Sequence, residues 1–262
     1  MTKRFSVIGR SLPKIDAWAK VTGDTKFADD LVLPRMAFGK LLRSPHPHAR
    51  IKGIDTSRAA ALPGVYAVIT GHDLPRVKFG ILPVSQDEEA LCVDKVRMVG
   101  DPVAAVAAVD EETALAACGL IDVVYEPLPV IGSVDDAAAT PAPQLHGYAD
   151  EGNWHKLVHL QFGELDEGFR RADLVREDLF LYEGNTHLPM EQHASIAHAT
   201  PDGRVTVWSS TQTPHYLHRA LSKVLDLPPA RIRVIATPNG GGFGGKSDPF
   251  NHEIVVANLS LM

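Results

Sequence analysis

Hydrophobic and polar positions in the first half of the chain fall into short runs of two kinds. Strand-like runs, rich in β-branched and alternating apolar residues, lie at 36–43, 49–54, 65–69, 95–99, 103–109 and 120–125. Helix-like runs lie at 58–62 and 111–118. Pro63-Gly64 ends the first helix, and Asp110, Glu111 and Glu112 open the second, where acidic groups complement the helix dipole. This mixture predicts a compact α+β domain.

The chain then loses its periodicity. Residues 133–143 are rich in Ala, Asp, Thr and Pro, and residues 147–152 carry further turn formers. We therefore predict two domains, 1–140 and 141–262. In the second domain, strand-like runs are expected at 155–162, 174–182, 195–198, 205–209 and 231–236, and helix-like runs at 216–225 and 250–262.

Composition excludes several classes of function. The net charge of −6 comes from interspersed acidic and basic residues, which offers no basic face to nucleic acid or to an anionic membrane. Only two cysteines are present, Cys92 and Cys118, too few for an iron–sulfur cluster or a cysteine zinc site held by this chain. The sequence shows no signal-peptide pattern and no apolar run of membrane-spanning length, which predicts a cytoplasmic protein.

A glycine run at 239–251 is the most informative motif. It reads Asn-Gly-Gly-Gly-Phe-Gly-Gly-Lys-Ser-Asp-Pro-Phe-Asn, and such runs let backbone N–H groups approach an anion or an oxo group. Residues 240–247 also fit the phosphate-loop pattern G-x-x-x-x-G-K-[ST]. Pro238 and Pro249 interrupt the strand and helix that a phosphate loop needs, which disfavours nucleotide binding. Lys246 remains open to two interpretations, pairing with a phosphate group of a bound ligand or with a neighbouring carboxylate.

Two histidine groups permit a chemical and a structural interpretation. His46 and His48 are two residues apart, so both could face one side of a strand and bind a metal, whereas the family resemblance given below implies a structural role. His187, Glu191 and His193 could form a zinc-like cluster, whereas the family resemblance given below implies that they could border a substrate, with packing favoured over both. Neither group is assigned as a site.

Four ordered motifs resemble one known family across nearly the whole chain. The motifs are Lys20-Val21-Thr22-Gly23 with Phe27-Ala28-Asp29-Asp30, then Arg43-Ser44-Pro45-His46-Pro47-His48-Ala49-Arg50-Ile51, then Gly100-Asp101-Pro102-Val103-Ala104, and finally Thr211-Gln212-Thr213 followed by the glycine run. Together they resemble the large molybdopterin-binding subunit of the xanthine dehydrogenase and aldehyde oxidase family. The resemblance implies an α/β hammerhead domain followed by the start of the first molybdopterin-binding domain. Subunits of this family continue for several hundred residues more.

The resemblance also implies roles for individual residues. Gln212 matches a glutamine whose amide donates a hydrogen bond to the apical oxo ligand of molybdenum. Phe243, with Gly242 and Gly244, matches the loop whose backbone lies against the oxygen side of the metal, so Gln212 and Phe243 are expected as neighbours of molybdenum and not as its ligands. Ser247 stands where the purine hydroxylases carry a substrate-binding glutamate. A serine cannot supply that charged hydrogen bond, which places purine oxidation in doubt.

A further local match narrows the expected reaction. Phe79-Gly80-Ile81-Leu82-Pro83-Val84 and Asp94-Lys95-Val96-Arg97 resemble the 4-hydroxybenzoyl-CoA reductase branch, which implies reductive dehydroxylation of an aryl-CoA thioester. The alternatives are a molybdenum hydroxylase of an aldehyde or N-heteroaromatic compound, and a truncated, non-catalytic assembly chain.

The family also implies cofactors and partners. We expect molybdenum-molybdopterin in its cytosine dinucleotide form, with [2Fe-2S] clusters and FAD on partner subunits. The remainder of the molybdenum subunit is a third expected partner. No catalytic residue is assigned in this chain, because the family's general-base glutamate is expected in the later domains. The isolated chain is therefore expected to have no turnover.

Overall fold

The computed structural model describes residues 5–82, 86–139, 143–147 and 152–262. The predicted domain boundary at residue 140 lies outside these residues, as do Pro83 and Val84 of the local match. The helices are α1 (Ala17–Thr22), α2 (Ser57–Ala60), α3 (Glu111–Cys118), α4 (Val134–Ala138), α5 (Leu165–Arg171), α6 (Pro214–Leu225) and α7 (Asn251–Leu261). The strands are β1 (Phe38–Arg43), β2 (Ala49–Asp55), β3 (Val65–Thr70), β4 (Lys95–Val96), β5 (Pro102–Ala108), β6 (Asp122–Pro127), β7 (Ser195–Ala199), β8 (Val205–Ser209) and β9 (Ile232–Ala236).

Strand β5 is the centre of the first sheet, whose order is β1-β5-β3. All seven of its residues are buried, and β1 and β3 pair with it antiparallel on either side. Its alanines and valines leave room for α3, whose Ala114 and Ala117 are buried in the same core. Helix α3 begins as predicted, because the Asp110 carboxylate accepts a hydrogen bond from Thr113 N at 2.7 Å. A second antiparallel sheet has the order β4-β2-β6.

Two of the sequence motifs meet at the end of β1. Ser44 N donates to Asp101 O at 2.8 Å, and Gly100 N donates back to Ser44 O at 2.9 Å. The Arg43 guanidinium donates to Gly100 O at 2.8 Å. The motifs that begin at Arg43 and Gly100 therefore form one structural unit, in which backbone N–H groups of each motif donate hydrogen bonds to carbonyl groups of the other.

The second half of the chain is built on a mixed sheet of order β7-β8-β9. Strand β8 pairs antiparallel with β7 and parallel with β9, and α6 makes the crossover between the parallel strands. Helix α6 is amphipathic, with Leu217, Leu221 and Val224 buried against the sheet. Helix α7 packs on β7 and β8.

One hydrophobic core cluster draws on both halves of the chain. It joins Ile69 and Phe79 with Leu217 and Ile254. Polar contacts cross the same junction: Lys223 Nζ donates to Lys78 O at 2.8 Å, and the Asn251 amide donates to Glu89 O at 2.7 Å. The two predicted domains are thus packed through a continuous apolar layer within the described residues.

Two predicted strands do not form. Residues 155–162 and 174–182 have no strand structure, and their side chains lie exposed along the surface. The predictions rested on side-chain pattern, whereas a strand also needs a neighbouring backbone to bond with, and no described part of the chain supplies one. Helix α5, which lies between these segments, was not predicted.

Within the described ranges, no helix combines the length and the apolarity required to cross a bilayer.

Candidate functional site

The glycine run and Gln212 meet at one edge of the mixed sheet. Strands β8 and β9 are parallel, and their last paired residues are Ser209 and Ala236. Gln212 follows β8 by three residues and the glycine run follows β9, so both leave the same edge of the sheet. Gln212 N donates to Lys246 O at 2.8 Å, which fixes the end of the run against the β8 connection.

The side-chain amide of Gln212 has a defined orientation. Its Oε1 accepts hydrogen bonds from Gly244 N and Lys246 N, each at 3.2 Å, and Ser247 Oγ lies 3.5 Å away. Because two backbone N–H groups point at this atom, it must be the oxygen and not the nitrogen of the amide. The Nε2 donors then point away from the loop and have no acceptor among the described residues.

Most backbone N–H groups between Gly240 and Ser247 donate to other groups of the described chain, so only part of the run can present N–H groups to a ligand. Gly240 N donates to Glu191 at 2.7 Å, and Gly241 N donates to the side chain of Asn239 at 2.9 Å. Gly245 N and Ser247 N donate to carbonyl groups inside the run. Within residues 240–247, the N–H groups of Gly242 and Phe243 have no partner among the described residues.

Glycine is required where the run packs against Gln212. A Cβ atom on Gly242 would lie 2.5 Å from Gln212 Cδ, closer than any real side-chain contact. Gly241 and Gly244 adopt φ values of +112° and +93°, which L-residues with side chains rarely tolerate. Phe243 itself has φ of +52°, and its ring is 76% exposed. The turn therefore presents an aromatic side chain outward from a strained backbone position.

The Lys246 ammonium lies against a carboxylate. Its Nζ is 2.6 Å from Glu191 Oε2, and the lysine side chain is only 1% exposed. Of the two interpretations that the sequence left open, pairing with a neighbouring carboxylate is therefore the one the structure supports. The nucleotide interpretation is also opposed, because this lysine is sequestered and α7 begins at Asn251, four residues after the phosphate-loop pattern ends.

Comparison with known proteins places this geometry in context. The family model of the aldehyde oxidase and xanthine dehydrogenase a/b hammerhead domain matches residues 22–129, and that of the molybdopterin cofactor-binding domain matches residues 147–262. The chain belongs to the xanthine dehydrogenase and aldehyde oxidase family. Its fold is the hammerhead domain followed by the start of the molybdopterin-binding domain, as predicted.

Two relatives and one solved structure illustrate the similarity to this family. The chain is 38% identical to the nicotinate dehydrogenase large molybdopterin subunit of Eubacterium barkeri, over 95% of this chain and 57% of the relative. It is 36% identical to the xanthine dehydrogenase molybdenum-binding subunit of Escherichia coli, over 90% of this chain and 32% of the relative. Quinoline 2-oxidoreductase from Pseudomonas putida 86 superposes with a TM-score of 0.86 at 30% identity, over 96% of this chain and 33% of that one. The chain thus spans between about a third and somewhat over half of these proteins.

The described residues fit the oxygen-rich side of a molybdopterin cofactor. The Gln212 amide nitrogen and the N–H groups of Gly242 and Phe243 are donors that have no acceptor among the described residues, and Gln212 lies against the turn that contains the two glycine-run residues. The glycine at 242 removes the side chain that would otherwise displace Gln212. Such donors suit ligands that carry oxygen. The individual roles expected for Gln212, Gly242, Phe243 and Gly244 remain predictions.

The histidine groups take structural positions. His187 packs against Gly245, Glu191 pairs with Lys246, and His193 lies against the ring of Phe250 with centroids 4.6 Å apart. No set of three potential metal ligands comes together in the described residues. His48 Nδ1 lies 2.7 Å from Pro129 O, and the His46 ring packs edge-on against Tyr125, so this pair also serves the fold.

Two titratable groups with shifted pKa values lie on α7, half-buried His252 and buried Glu253. Burial lowers the pKa of His252 to about 3, and the nearby His193 and Arg43 act in the same direction. Burial raises the pKa of Glu253 to about 7, although hydrogen bonds from Ser209 Oγ and Phe250 N oppose the shift. His252 and His193 border a cleft of about 460 Å³ between the 28–40 segment, β7 and α7. Neutral His252 adds no positive charge to that cleft at neutral pH.

Sequence reasoning missed the roles of Glu191 and Glu253. Glu191 is 55 residues from Lys246, and no spacing rule connects them. The sequence did contain a signal for Glu253. A glutamate at the third position of a helix can accept a hydrogen bond from the N–H of the residue just before the helix, which is half of a capping box. Its Oε2 accepts from Phe250 N at 2.8 Å.

Proposed function

We propose that this chain holds the oxygen side of a molybdopterin cofactor in a molybdenum-dependent oxidoreductase that hydroxylates an N-heteroaromatic or aldehyde substrate. The observation that carries the proposal is the outward-facing Gln212 amide, whose oxygen is occupied by Gly244 N and Lys246 N at 3.2 Å each. The amide nitrogen and the N–H groups of Gly242 and Phe243 would hold ligand oxygen atoms by donating to them. The cofactor, when bound, supplies the two-electron redox chemistry.

The names of the relatives favour hydroxylation of a nitrogen heterocycle. They include nicotinate dehydrogenase, nicotine 6-hydroxylase and quinoline 2-oxidoreductase, and also aldehyde oxidoreductase and carbon monoxide dehydrogenase. Ser247 supports a substrate other than a purine, because its hydroxyl offers no charge-assisted hydrogen bond. Its Oγ lies 3.5 Å from Gln212 Oε1, so position 247 adjoins the proposed cofactor face.

Aryl-CoA reductive dehydroxylation is the second candidate, supported by the residues at 79–84 and 94–97 that resemble 4-hydroxybenzoyl-CoA reductase. The described part of that match serves the scaffold. Phe79 is buried in the main core, Lys95–Val96 pairs with β2, and the Arg97 guanidinium donates to Leu145 O at 2.8 Å. Residues that stabilise the scaffold in this way say little about the substrate. We therefore rank hydroxylation above reductive dehydroxylation.

The proposal includes partners that would complete the enzyme. The remainder of the molybdenum subunit would supply the general-base glutamate and most pterin contacts, including those to a cytosine dinucleotide. An iron–sulfur subunit with [2Fe-2S] clusters and an FAD subunit would carry electrons away. A cytoplasmic location also stays a prediction. Without these partners the chain would have no turnover.

The test is purification of the complete assembly that contains this chain, with molybdenum analysis and substrate assays. Bound molybdenum and oxidation of nicotinate, quinoline or an aromatic aldehyde would support the first candidate. Reduction of an aryl-CoA thioester by the same preparation, without heterocycle oxidation, would favour the second. An assembly that lacks molybdenum would refute both, and would leave a non-catalytic assembly chain as the remaining interpretation.

A further inference from the structure

A short segment before β7, residues 187–191, packs closely against the glycine run. A Cβ atom on Gly240 would lie 2.6 Å from Glu191 Cβ, and one on Gly245 would lie 2.8 Å from His187 Cγ. Both distances are shorter than real side-chain contacts, so only glycine permits this approach. The turn is thus confined by a segment from a distant part of the chain.

Each of these two stretches contains a non-glycine residue in the left-handed backbone region. Leu188 has φ of +35°, and Phe243 has φ of +52°. A residue with a side chain keeps such a conformation only where the surrounding contacts hold it, and backbone strain of this kind is concentrated at functional sites. The contacts that hold the turn therefore decide what its backbone presents to a ligand.

The ion pair of Glu191 and Lys246 is the charged contact between the two stretches. Glu191 Oε2 accepts from Gly240 N at 2.7 Å and from Lys246 Nζ at 2.6 Å, so one oxygen atom joins the two ends of the turn. The second oxygen, Oε1, is buried and has no partner among the described residues. The carboxylate charge is therefore compensated by Lys246, and the pair resists separation.

Lys246 connects this pair to Gln212 through its backbone. Lys246 N donates to Gln212 Oε1 at 3.2 Å, and Lys246 O accepts from Gln212 N at 2.8 Å. The lysine side chain is only 1% exposed and its charge is neutralised by the carboxylate, so it is not placed to bind an anion itself. Lys246 can instead act on a bound cofactor through its backbone, which fixes the direction of the Gln212 amide.

We propose that the Glu191–Lys246 pair positions the donors that face the molybdenum cofactor, namely the Gln212 amide nitrogen and the N–H groups of Gly242 and Phe243. This rests on the proposed function. Donors aimed at ligand oxygen atoms act most strongly when they are fixed in place beforehand, because no reorganisation is then needed. Glu191 and Lys246 are not among the donors, so they are positioning residues.

A purely structural role for the pair leads to a different expectation. If the pair only stabilised the fold, a neutral replacement that restores stability would also restore the site. If the pair positions the donors, the same replacement would leave the two ends of the turn untied, and the site would stay impaired in a stable chain. E191Q/K246M separates these cases, because it removes both buried charges together with the bond between the side chains.

The experiment measures turnover per bound molybdenum in the complete assembly, for the unvaried chain and for E191Q/K246M. E191D is the milder second variant, because it keeps the charge but shortens the side chain by one carbon. V106A is the matched control, since Val106 is buried in the first sheet and its truncation lowers stability away from the turn.

A second readout needs no cofactor. Hydrogen exchange of the N–H groups at positions 244 and 246, followed by NMR on the purified chain, reports the two bonds that orient Gln212. A variant that loosens the turn should accelerate exchange at these two positions, whereas a variant that only lowers stability elsewhere should not.

We expect turnover per bound molybdenum to fall about tenfold or more in E191Q/K246M, with a smaller loss in E191D and none in V106A. Exchange at positions 244 and 246 should accelerate in the same order. Unchanged turnover per bound molybdenum in both variants at Glu191 would overturn this inference alone, as would an equal loss in V106A. An unvaried assembly without molybdenum would refute the proposed function and this role together, so the two failures are distinguishable.

Discussion

Lys246 Nζ and Glu191 Oε2 lie 2.6 Å apart in a nearly dry environment, with 1% and 12% of the two side chains exposed. The same carboxylate oxygen accepts from Gly240 N at 2.7 Å. Glu191 therefore ties the first residue of the phosphate-loop pattern to its lysine, across the turn that carries Phe243. A pair of this kind holds the loop in one arrangement, because either charge would be left buried if the other moved away.

Removal of one member of the pair should destabilise the chain strongly. K246M leaves the Glu191 carboxylate buried without its cation, and we expect a loss of about 3–5 kcal/mol of unfolding free energy. The double variant E191Q/K246M should lose less than K246M alone, because no unpaired charge remains. Urea unfolding of the two single variants and the double variant gives the coupling energy. Additive losses would show that the pair does not act as a unit.

Gln212 should have two separable functions. Q212E preserves an oxygen that accepts from Gly244 N and Lys246 N, but it replaces the outward amide donor with a carboxylate oxygen. Q212A removes both. We expect Q212E to change the unfolding free energy by less than about 1 kcal/mol and Q212A to lower it by about 1–3 kcal/mol, because two hydrogen bonds that each contribute roughly 0.5–1.5 kcal/mol are lost.

Molybdenum content tests the second function of Gln212, which is donation of a hydrogen bond by its amide nitrogen. Both variants should reduce the metal bound by the complete assembly, because both lack the amide donor. Full molybdenum occupancy and activity in Q212E would contradict the proposed role of the amide nitrogen.

Gly242 should not tolerate a methyl group. A Cβ there would lie 2.5 Å from Gln212 Cδ, so G242A must displace the glutamine and break its contacts with the loop. We expect a loss of about 1–3 kcal/mol in unfolding free energy, as for other overpacked sites. Gly132 is the matched control, because a Cβ at that position meets nothing within 4 Å. Equal stability of G242A and G132A in urea would show that the loop adapts.

The sequence predicted best those elements whose own residues, and not contacts with distant parts of the chain, determine their structure. Strand β5 is an unbroken run of small apolar residues with its partners on either side, and α3 has a capping aspartate and an acidic first turn. Strands β8 and β9 and the helix between them were predicted as separate elements, whereas the parallel pairing of the two strands was not predicted. In each case one segment contains most of the information that fixes its structure.

The site was predicted less completely, for a physical reason. Motif resemblance brought Gln212 and the glycine run together, but the use of each N–H group depends on side chains far away in sequence, such as Glu191. The same limit explains the two missing strands. Residues 155–162 and 174–182 have the side-chain pattern of strands, yet pattern cannot say whether a partner backbone lies in the same chain.

Glu253 gives the chain a pH-dependent stability with a defined sign. Burial raises its pKa from 4.5 to about 7, so the folded chain keeps this carboxyl protonated over a range in which the unfolded chain releases the proton. Rising pH from about 4.5 to about 7 therefore favours unfolding, and the loss attributable to this group is complete above about pH 7. Its size is on the order of 3 kcal/mol, at roughly 1.4 kcal/mol for each unit of pKa.

The isostere E253Q should remove that dependence. Its amide can accept from Phe250 N and donate to Ser209 Oγ, and it has no proton to release. We expect the variant to match the unvaried chain in urea at pH 4 and to exceed its unfolding free energy at pH 8, whereas E177Q, at an exposed position, should change neither value. An equal difference between E253Q and the unvaried chain at both pH values would mean that Glu253 ionises normally and that its burial is offset by the two hydrogen bonds.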